Sequence, residues 1–216
     1  MADVLVCGVD EAGRGCVVGP LVVSAFLANS RDSKMLRELG VADSKTLTRR
    51  RRQELFNKLA ENFEYETAVV PPTRITSSLR SMGGKGLNDL EYFHIARLID
   101  KLGPRRVYVD SPDRNTRRAR KRILDYLSAD VEVVCMVRGD RRNVFVAAAS
   151  IVAKVVRDEK VERLRRVLGD FGSGYPSDPK TRFWLSQRLD SADVSRFVRL
   201  GWKTLDRIGQ TTLDIF

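Results

Sequence analysis

The apolar run Val4-Leu5-Val6-Cys7-Gly8-Val9 ends directly in Asp10-Glu11, and few folds tolerate that junction. A continuous apolar, β-branched stretch of this length reads as a strand buried on both faces, at the middle of a sheet. Two carboxylates at the end of such a strand are poorly solvated. Forced close together, they raise one another's pKa unless a cation neutralises them, so the pair points to a bound metal. The chain continues as Ala12-Gly13-Arg14-Gly15, which brings backbone N–H groups and a guanidinium next to the acids. Glycine has no side chain to hold a ligand off, so such a loop can approach a sugar or phosphate closely. The plain alternative for the stretch is an acidic turn closing a hairpin.

At 216 residues the chain is long enough for one well-buried core, or for a main domain with a smaller appendage. No apolar run approaches the roughly 20 residues that span a bilayer, and the start MADVLVCGVD lacks the features of a signal peptide. The expected location is cytoplasmic. Cys7, Cys16 and Cys135 form no CxxC pair and are expected as reduced, packed thiols. His94 is the single histidine, so zinc has few ligands to draw on, and His94 reads as a packing or capping residue. Any metal site is then built from oxygen, which favours Mg²⁺ or Mn²⁺.

Lysine and arginine number 39 against 28 acidic residues, a net charge of +11, and this surplus points to a polyanion as partner. The bases are clustered at Arg49–Arg52, Arg114–Arg122, Arg138–Arg142 and Arg163–Arg166. Any one such run suits a solvated helix face; together, without compensating acidic blocks, they suit nucleic acid. Arginine dominates in each, and its guanidinium fork can grip two phosphate oxygens at once.

Along the chain, Val17 to Ala28 reads as a second strand, with Gly19-Pro20 implying an edge or bulge. Thr48 caps a helix from Arg49 to about Asn62, and Phe63 to Val70 is a strand ended by Pro71-Pro72. A loop at Gly83-Gly84-Lys85-Gly86 precedes a helix from Leu87 to Leu102. Arg106 to Asp110 is a short strand ending in a carboxylate, followed by a basic helix to about Leu127. Val131 to Val137 is a further strand, ending at Arg138-Gly139-Asp140. Three strands that end in acids bring distant carboxylates to one edge of a sheet. Asn143 to Leu168 is the longest helical stretch, with Val144, Ala148, Ile151 and Val155 on one face and Ala147-Ala148-Ala149 allowing close approach to the sheet. After Gly169 come a loop through Tyr175 and two short helical patterns, Phe183–Leu189 and Val194–Leu200. The expected division is a body over 1–170, a helical appendage over 171–203 and a tail over 204–216.

With Asp10-Glu11-Ala12-Gly13-Arg14-Gly15, Asp43-Ser44-Lys45, Val109-Asp110-Ser111, Arg138-Gly139-Asp140, Ala148–Lys154 and Gly174-Tyr175-Pro176 in this order, the chain resembles ribonuclease HII, most closely its archaeal branch. The resemblance implies an α/β, ribonuclease H-like fold: a central mixed β-sheet flanked by helices, with a helical C-terminal appendage. It implies a tetrad of metal-binding catalytic acids, Asp10, Glu11, Asp110 and Asp140, working with Mg²⁺ or Mn²⁺ on RNA/DNA hybrids and on ribonucleotide-containing duplex DNA. It further implies that Gly13, Arg14 and Gly15 read the 2′-hydroxyl that distinguishes RNA from DNA, and that Tyr175 stacks on the neighbouring sugar. Lys45, Ser150 and Lys154 are candidate phosphate contacts. The expected cut lies 5′ to the ribonucleotide and leaves 3′-hydroxyl and 5′-phosphate ends. A monomer is expected.

The tail Gln210-Thr211-Thr212-Leu213-Asp214-Ile215-Phe216 resembles the clamp-binding box Gln-x-x-aliphatic-x-x-aromatic-aromatic, but with one aromatic where the box has two. Gln210, Leu213 and Phe216 are thus candidate contacts to a sliding clamp of the PCNA type. Two readings of other kinds stand beside this one: a non-catalytic nucleic-acid-binding protein, and a different metal-dependent nuclease of the same fold.

Overall fold

The computed structural model describes residues 3–41, 47–80, 86–188, 194–202 and 205. Among them the chain runs β1 (Leu5–Ala12), β2 (Leu21–Asn29), α1 (Ser33–Glu38), α2 (Arg49–Asn62), β3 (Glu64–Val70), α3 (Pro72–Arg80), α4 (Gly86–Leu102), β4 (Arg106–Asp110), α5 (Thr116–Leu124), β5 (Glu132–Met136), α6 (Val144–Leu168) and α7 (Pro179–Ser186). The strands form one sheet in the order β3-β2-β1-β4-β5. β1 pairs antiparallel with β2, while β1 with β4 and β4 with β5 are parallel. The sheet is therefore mixed, with β1 at its centre, and Val6 to Asp10 are buried as the apolar run requires. Parallel neighbours need helical crossovers, and α5 supplies the one between β4 and β5. None of the described helices is long and apolar enough to cross a membrane.

The chain divides into two units by its contacts. The first comprises Met1–Ala12, Val22–Ala68 and Asn88–Val156 and holds most of the sheet. Its core gathers Val6, Phe26, Leu55, Leu59, Ala147–Ala149, Ile151 and Val152. α6 packs closely on β1 because the facing positions are small. A Cβ on Gly8 would come within 2.1 Å of the Phe145 carbonyl, so only glycine lets the two backbones approach this far. Asn143 fixes where α6 starts: its Oδ1 accepts from the N–H of Phe145 at 2.9 Å and of Val146 at 3.3 Å, the role of a helix N-cap.

The second unit comprises Gly13–Leu21, Val69–Leu87 and Arg157–Phe216. Its core is Val17, Val18, Val161, Leu168, Phe171, Trp184, Leu185, Val194 and Val198. Here the structure corrects one expectation. The segment Val194–Leu200 is not a helix but a turn followed by an isolated bridge between Val18 and Val198. Its backbone groups are taken by Val17–Gly19: the Gly19 N–H donates to the Phe197 carbonyl and the Arg199 N–H to that of Val17, both at 2.9 Å. That extended pairing also explains why β2 begins at Leu21 and not at Val17. α7 starts earlier than expected, with Asp178 as cap and Pro179 in its first turn. α3 was hidden behind Pro71-Pro72, since proline also suits the first turn of a helix. Cys7, Cys16 and Cys135 are all free thiols.

Candidate active site

β1 and β4 run side by side with Val9 opposite Val109, so the next residue of each, Asp10 and Asp110, emerges at the same edge of the sheet. Side chains alternate along a strand, which places Gly8, Asp10 and Ala12 on the face that α6 covers. Each has a partner there: Gly8 meets Phe145, Asp10 is hydrogen-bonded to Ser150, and Ala12 packs with Ala153. Ser24, opposite Asp10 on β2, donates its hydroxyl to the carbonyl of Ala149 at 2.5 Å and ties β2 to the same stretch of helix.

Asp10 is only 6% exposed. Burial, with the negative charge of Asp110 adding to it, pushes its carboxyl up to about 7. Opposing that rise are the Ser150 hydroxyl, the Glu11 N–H, 2.8 Å from Asp10 Oδ1, and the positive charge of Lys154. Lys154 Nζ donates to Ser150 Oγ at 2.7 Å, so ammonium, hydroxyl and carboxylate form a chain along one side of α6. Ser150 is wholly enclosed, which makes Lys154 and Asp10 its partners.

The third strand end arrives through Gly139. Its N–H donates to Asp110 Oδ1 at 2.9 Å, and a Cβ there would lie 3.3 Å from the Asp110 Cα and 2.9 Å from the Met136 side chain. Asp140 follows directly and is buried. The preceding residue, Arg138, has φ 57° and ψ 47°, the left-handed region that non-glycine residues seldom enter. The site thus sets Asp10 beside Asp110, with Asp140 one residue beyond the Gly139 contact. Glu11 is half-buried and gives its backbone N–H to Asp10, while strand alternation turns its side chain from the face that carries Asp10.

Among the described residues no three His, Cys, Asp or Glu side chains stand close enough to enclose an ion by themselves. The donor set still suits a hard divalent cation. A carboxyl raised by burial, and further by a second carboxylate, is relieved by positive charge, and Mg²⁺ is commonly held by one or two carboxylates, with waters and substrate phosphate completing the shell.

In the second unit, Gly13 has φ 81°, and a Cβ on it would meet Arg157 Nε at 2.6 Å and the Pro20 carbonyl at 2.8 Å. Only glycine fits. The loop is held from beneath by Arg199, a residue the sequence did not single out. Its guanidinium is fully buried and donates to the carbonyls of Gly13 and Arg14 at 2.7 Å and of Gly19 at 3.1 Å. Tyr175 is 36% exposed; a Cβ on Gly15 would lie 3.6 Å from its ring, and the Arg157 guanidinium is 5.2 Å from its centroid. Arg157 also donates to Cys16 Sγ at 2.8 Å and to the Ser173 carbonyl at 2.9 Å. Arg157 and Arg199 gave no local signal in a chain so rich in arginine. Lys45 and the tail residues Gln210, Leu213 and Phe216 lie outside the described residues.

The profile of the family described as Ribonuclease HII matches residues 7–205. Ribonuclease HII of Archaeoglobus fulgidus is 40% identical over 209 residues, covering 97% of this chain and 98% of the relative. The structure of the PCNA:RNase HII complex from Archaeoglobus fulgidus superposes with a TM-score of 0.87 at 41% identity, covering 98% of this chain and 100% of the other. The crystal structure of ribonuclease H2 from Pyrococcus horikoshii OT3 gives a TM-score of 0.85 at 36% identity, over 97% of this chain and 99% of that one. A match of this extent, on a mixed sheet whose strand ends carry the acids, shows that the chain belongs to the ribonuclease HII family of endoribonucleases, hydrolases of RNA/DNA hybrids.

Proposed function

We propose that the protein incises 5′ to single ribonucleotides embedded in duplex DNA, as well as within longer hybrids, and leaves 3′-hydroxyl and 5′-phosphate ends. The observation that carries this reading is the placement of Asp10 beside Asp110 at the edge of the sheet, where burial and the second carboxylate push the Asp10 carboxyl up to about 7. Asp10, Glu11, Asp110 and Asp140 would hold Mg²⁺ or Mn²⁺, Glu11 in the weakest position of the four. When bound, such ions polarise the attacking water and the scissile phosphate. The protein's own part is to favour the ionised form of Asp10 through Ser150 and Lys154 against its burial, and to fix Asp110 through the Gly139 N–H.

Ribonucleotide selection falls to Gly13, Arg14 and Gly15, whose backbone reads the 2′-hydroxyl, and to Tyr175, whose ring stacks on the adjoining sugar. Supporting this are the steric demand for glycine at Gly13 and the partly exposed ring of Tyr175, which a side chain at Gly15 would meet. Lys45 and Lys154 serve the phosphates. The test offers duplex DNA with one ribonucleotide, with Mg²⁺ or Mn²⁺, beside an all-DNA control. Cleavage of the first alone, with the stated ends, is expected; equal cutting of both, or none with either metal, overturns the reading.

The same reading makes the enzyme a cytoplasmic monomer that a sliding clamp recruits. Its relative from Archaeoglobus fulgidus was solved as a complex with PCNA, and Gln210, Leu213 and Phe216 have the spacing of a clamp-binding box. Tethering raises local concentration on DNA without changing the chemistry. Deleting residues 210–216 is expected to abolish clamp binding in a titration and leave cleavage of a short free duplex unchanged. Clamp binding that survives the deletion removes the tail from the proposal.

A further inference from the structure

The cations on the crossover from β4 to β5 fall into two sets. Arg118 Nε donates to Asp113 Oδ2 at 2.6 Å, Arg122 pairs with Asp89 and with Asp125, and Arg120 Nε donates to the Val133 carbonyl at 3.0 Å. These residues hold α5 in place. Arg114, Arg117 and Lys121 are exposed and have no acidic partner among the described residues. Arg117 and Lys121, four apart, lie on one side of α5, and Arg114 stands just before its N-cap Asn115. Arg138, Arg141 and Arg142, after β5, are likewise exposed and without an acidic partner among the described residues.

Topology brings both sets to the edge that carries the acids. β4 and β5 are parallel, and Asp110 lies opposite Met136, so the residues after each strand emerge beside Asp110. The placement works against local stability in two ways. α5 has no acid in its first turn and carries Arg117 there, where the helix dipole disfavours positive charge. Arg138 sits in the left-handed region, which disfavours a non-glycine residue. Charged side chains set against local preference, with no acidic partner of their own, gather where a surface serves a ligand.

We propose that Arg114, Arg117 and Lys121, together with Arg138, Arg141 and Arg142, form a second grip on the duplex, holding backbone phosphates beyond the scissile bond. The inference rests on the nuclease reading above. A polyanion drawn past Asp10, Asp110 and Asp140 is repelled by them, and bare guanidinium groups at the same edge offset that repulsion. Paired forks also suit phosphate oxygens better than they suit a flat acidic protein surface.

The experiment measures binding of a DNA duplex with one central ribonucleotide, without divalent metal so that no cleavage occurs, across a salt series. The variants are Arg114→Ala/Arg117→Ala/Lys121→Ala and Arg138→Ala/Arg141→Ala/Arg142→Ala. Arg31→Ala/Lys34→Ala/Arg37→Ala is the control, because it removes the same charge around α1, at the opposite end of the sheet where Leu5 pairs with Asn29. Each lost phosphate contact lowers the slope of log K against log salt by about 0.9, so each test variant is expected to lose about 2–3 from the slope and at least about tenfold in affinity. The control is expected to keep its slope, and all variants their thermal midpoint. An unchanged slope in both test variants, or an equal fall in the control, overturns the proposal. Failure of the nuclease reading appears separately, as the wild-type protein treating ribonucleotide-containing and all-DNA duplexes alike once metal is added.

Discussion

Lys154 Nζ donates to Ser150 Oγ at 2.7 Å, and Ser150 is in turn hydrogen-bonded to the carboxyl of Asp10. Both residues favour the ionised acid, so removing either makes Asp10 harder to ionise. Ser150→Ala and Lys154→Met are expected to move the acidic limb of the pH–rate profile upward; most of the lost rate returns toward pH 9 in Ser150→Ala, while Lys154→Met, which also loses a phosphate contact, keeps part of its loss at every pH. A uniform loss across the pH range would show that they act on substrate or folding and not through Asp10.

The same carboxyl makes the stability of the metal-free protein depend on pH. In the folded chain Asp10 is raised from its ordinary 3.8 to about 7, first by burial and then by Asp110. Between those values the folded protein keeps a proton that the unfolded chain has released, so stability falls as pH rises through the window, and the loss is complete above about 7. Asp10→Asn is therefore expected to match wild type in thermal midpoint near pH 4 and to exceed it at about pH 8. Mg²⁺ added at that pH should raise the wild-type midpoint and leave the variant's unchanged, while the variant loses cleavage and keeps duplex binding. Superimposable curves of midpoint against pH would refute this account of Asp10.

Arg199 answers for the Gly13–Gly15 loop, since its guanidinium is the donor for the carbonyls of Gly13, Arg14 and Gly19. Arg199→Met keeps much of the volume but leaves those buried acceptors unsatisfied, at about 1–3 kcal/mol each. Two losses are expected: a thermal midpoint lower by several degrees, and reduced discrimination between ribonucleotide and deoxyribonucleotide at the cut site. Arg199→Lys, with one ammonium for several acceptors, should recover only part of either. Discrimination at the wild-type level in Arg199→Met would separate this residue from recognition.

What could be read in the sequence was local. The apolar run into Asp10, the strand ends at Asp110 and Asp140, and the small residues of α6 each declare themselves within a few positions, and the sheet is assembled from them. What could not be read depends on partners far along the chain. Arg199 contacts a loop more than 180 residues away, and nothing nearby marks it among the other basic residues. Val194–Leu200 has apolar spacing that fits a helix, yet Val17–Gly19 claim its hydrogen bonds. The phosphate role expected for Ser150 followed from its motif, whereas its enclosure against Asp10 emerges only when α6 is laid on β1.

Gly8 tests that packing directly. Gly8→Ala puts a methyl within 2.1 Å of backbone atoms of Phe145, and backbone cannot yield as a flexible side chain would. α6 must shift, carrying Ser150 and Lys154 away from Asp10. The expected outcome is a lower thermal midpoint and a loss of cleavage larger than the fraction unfolded accounts for, measured at a temperature where the variant is still folded. Full activity in the folded variant would mean that the register of α6 on β1 does not govern the acids.

Arg138 sets a backbone cost against a use, and one substitution separates the two. At φ 57° and ψ 47° a glycine is at ease where arginine is strained by about 1–2 kcal/mol, although glycine also loosens the unfolded chain and returns part of that gain. Arg138→Gly is therefore expected to hold or slightly raise the thermal midpoint, because the turn that presents Gly139 and Asp140 is kept. Removal of the exposed guanidinium should, in the same protein, lower the salt slope of duplex binding by about 0.9. Arg138→Ala supplies the contrast: it loses the same slope but keeps the strain, so its midpoint should not exceed that of wild type. A glycine variant that binds duplex with the wild-type slope would show that the left-handed turn serves Asp140 alone and that Arg138 takes no phosphate.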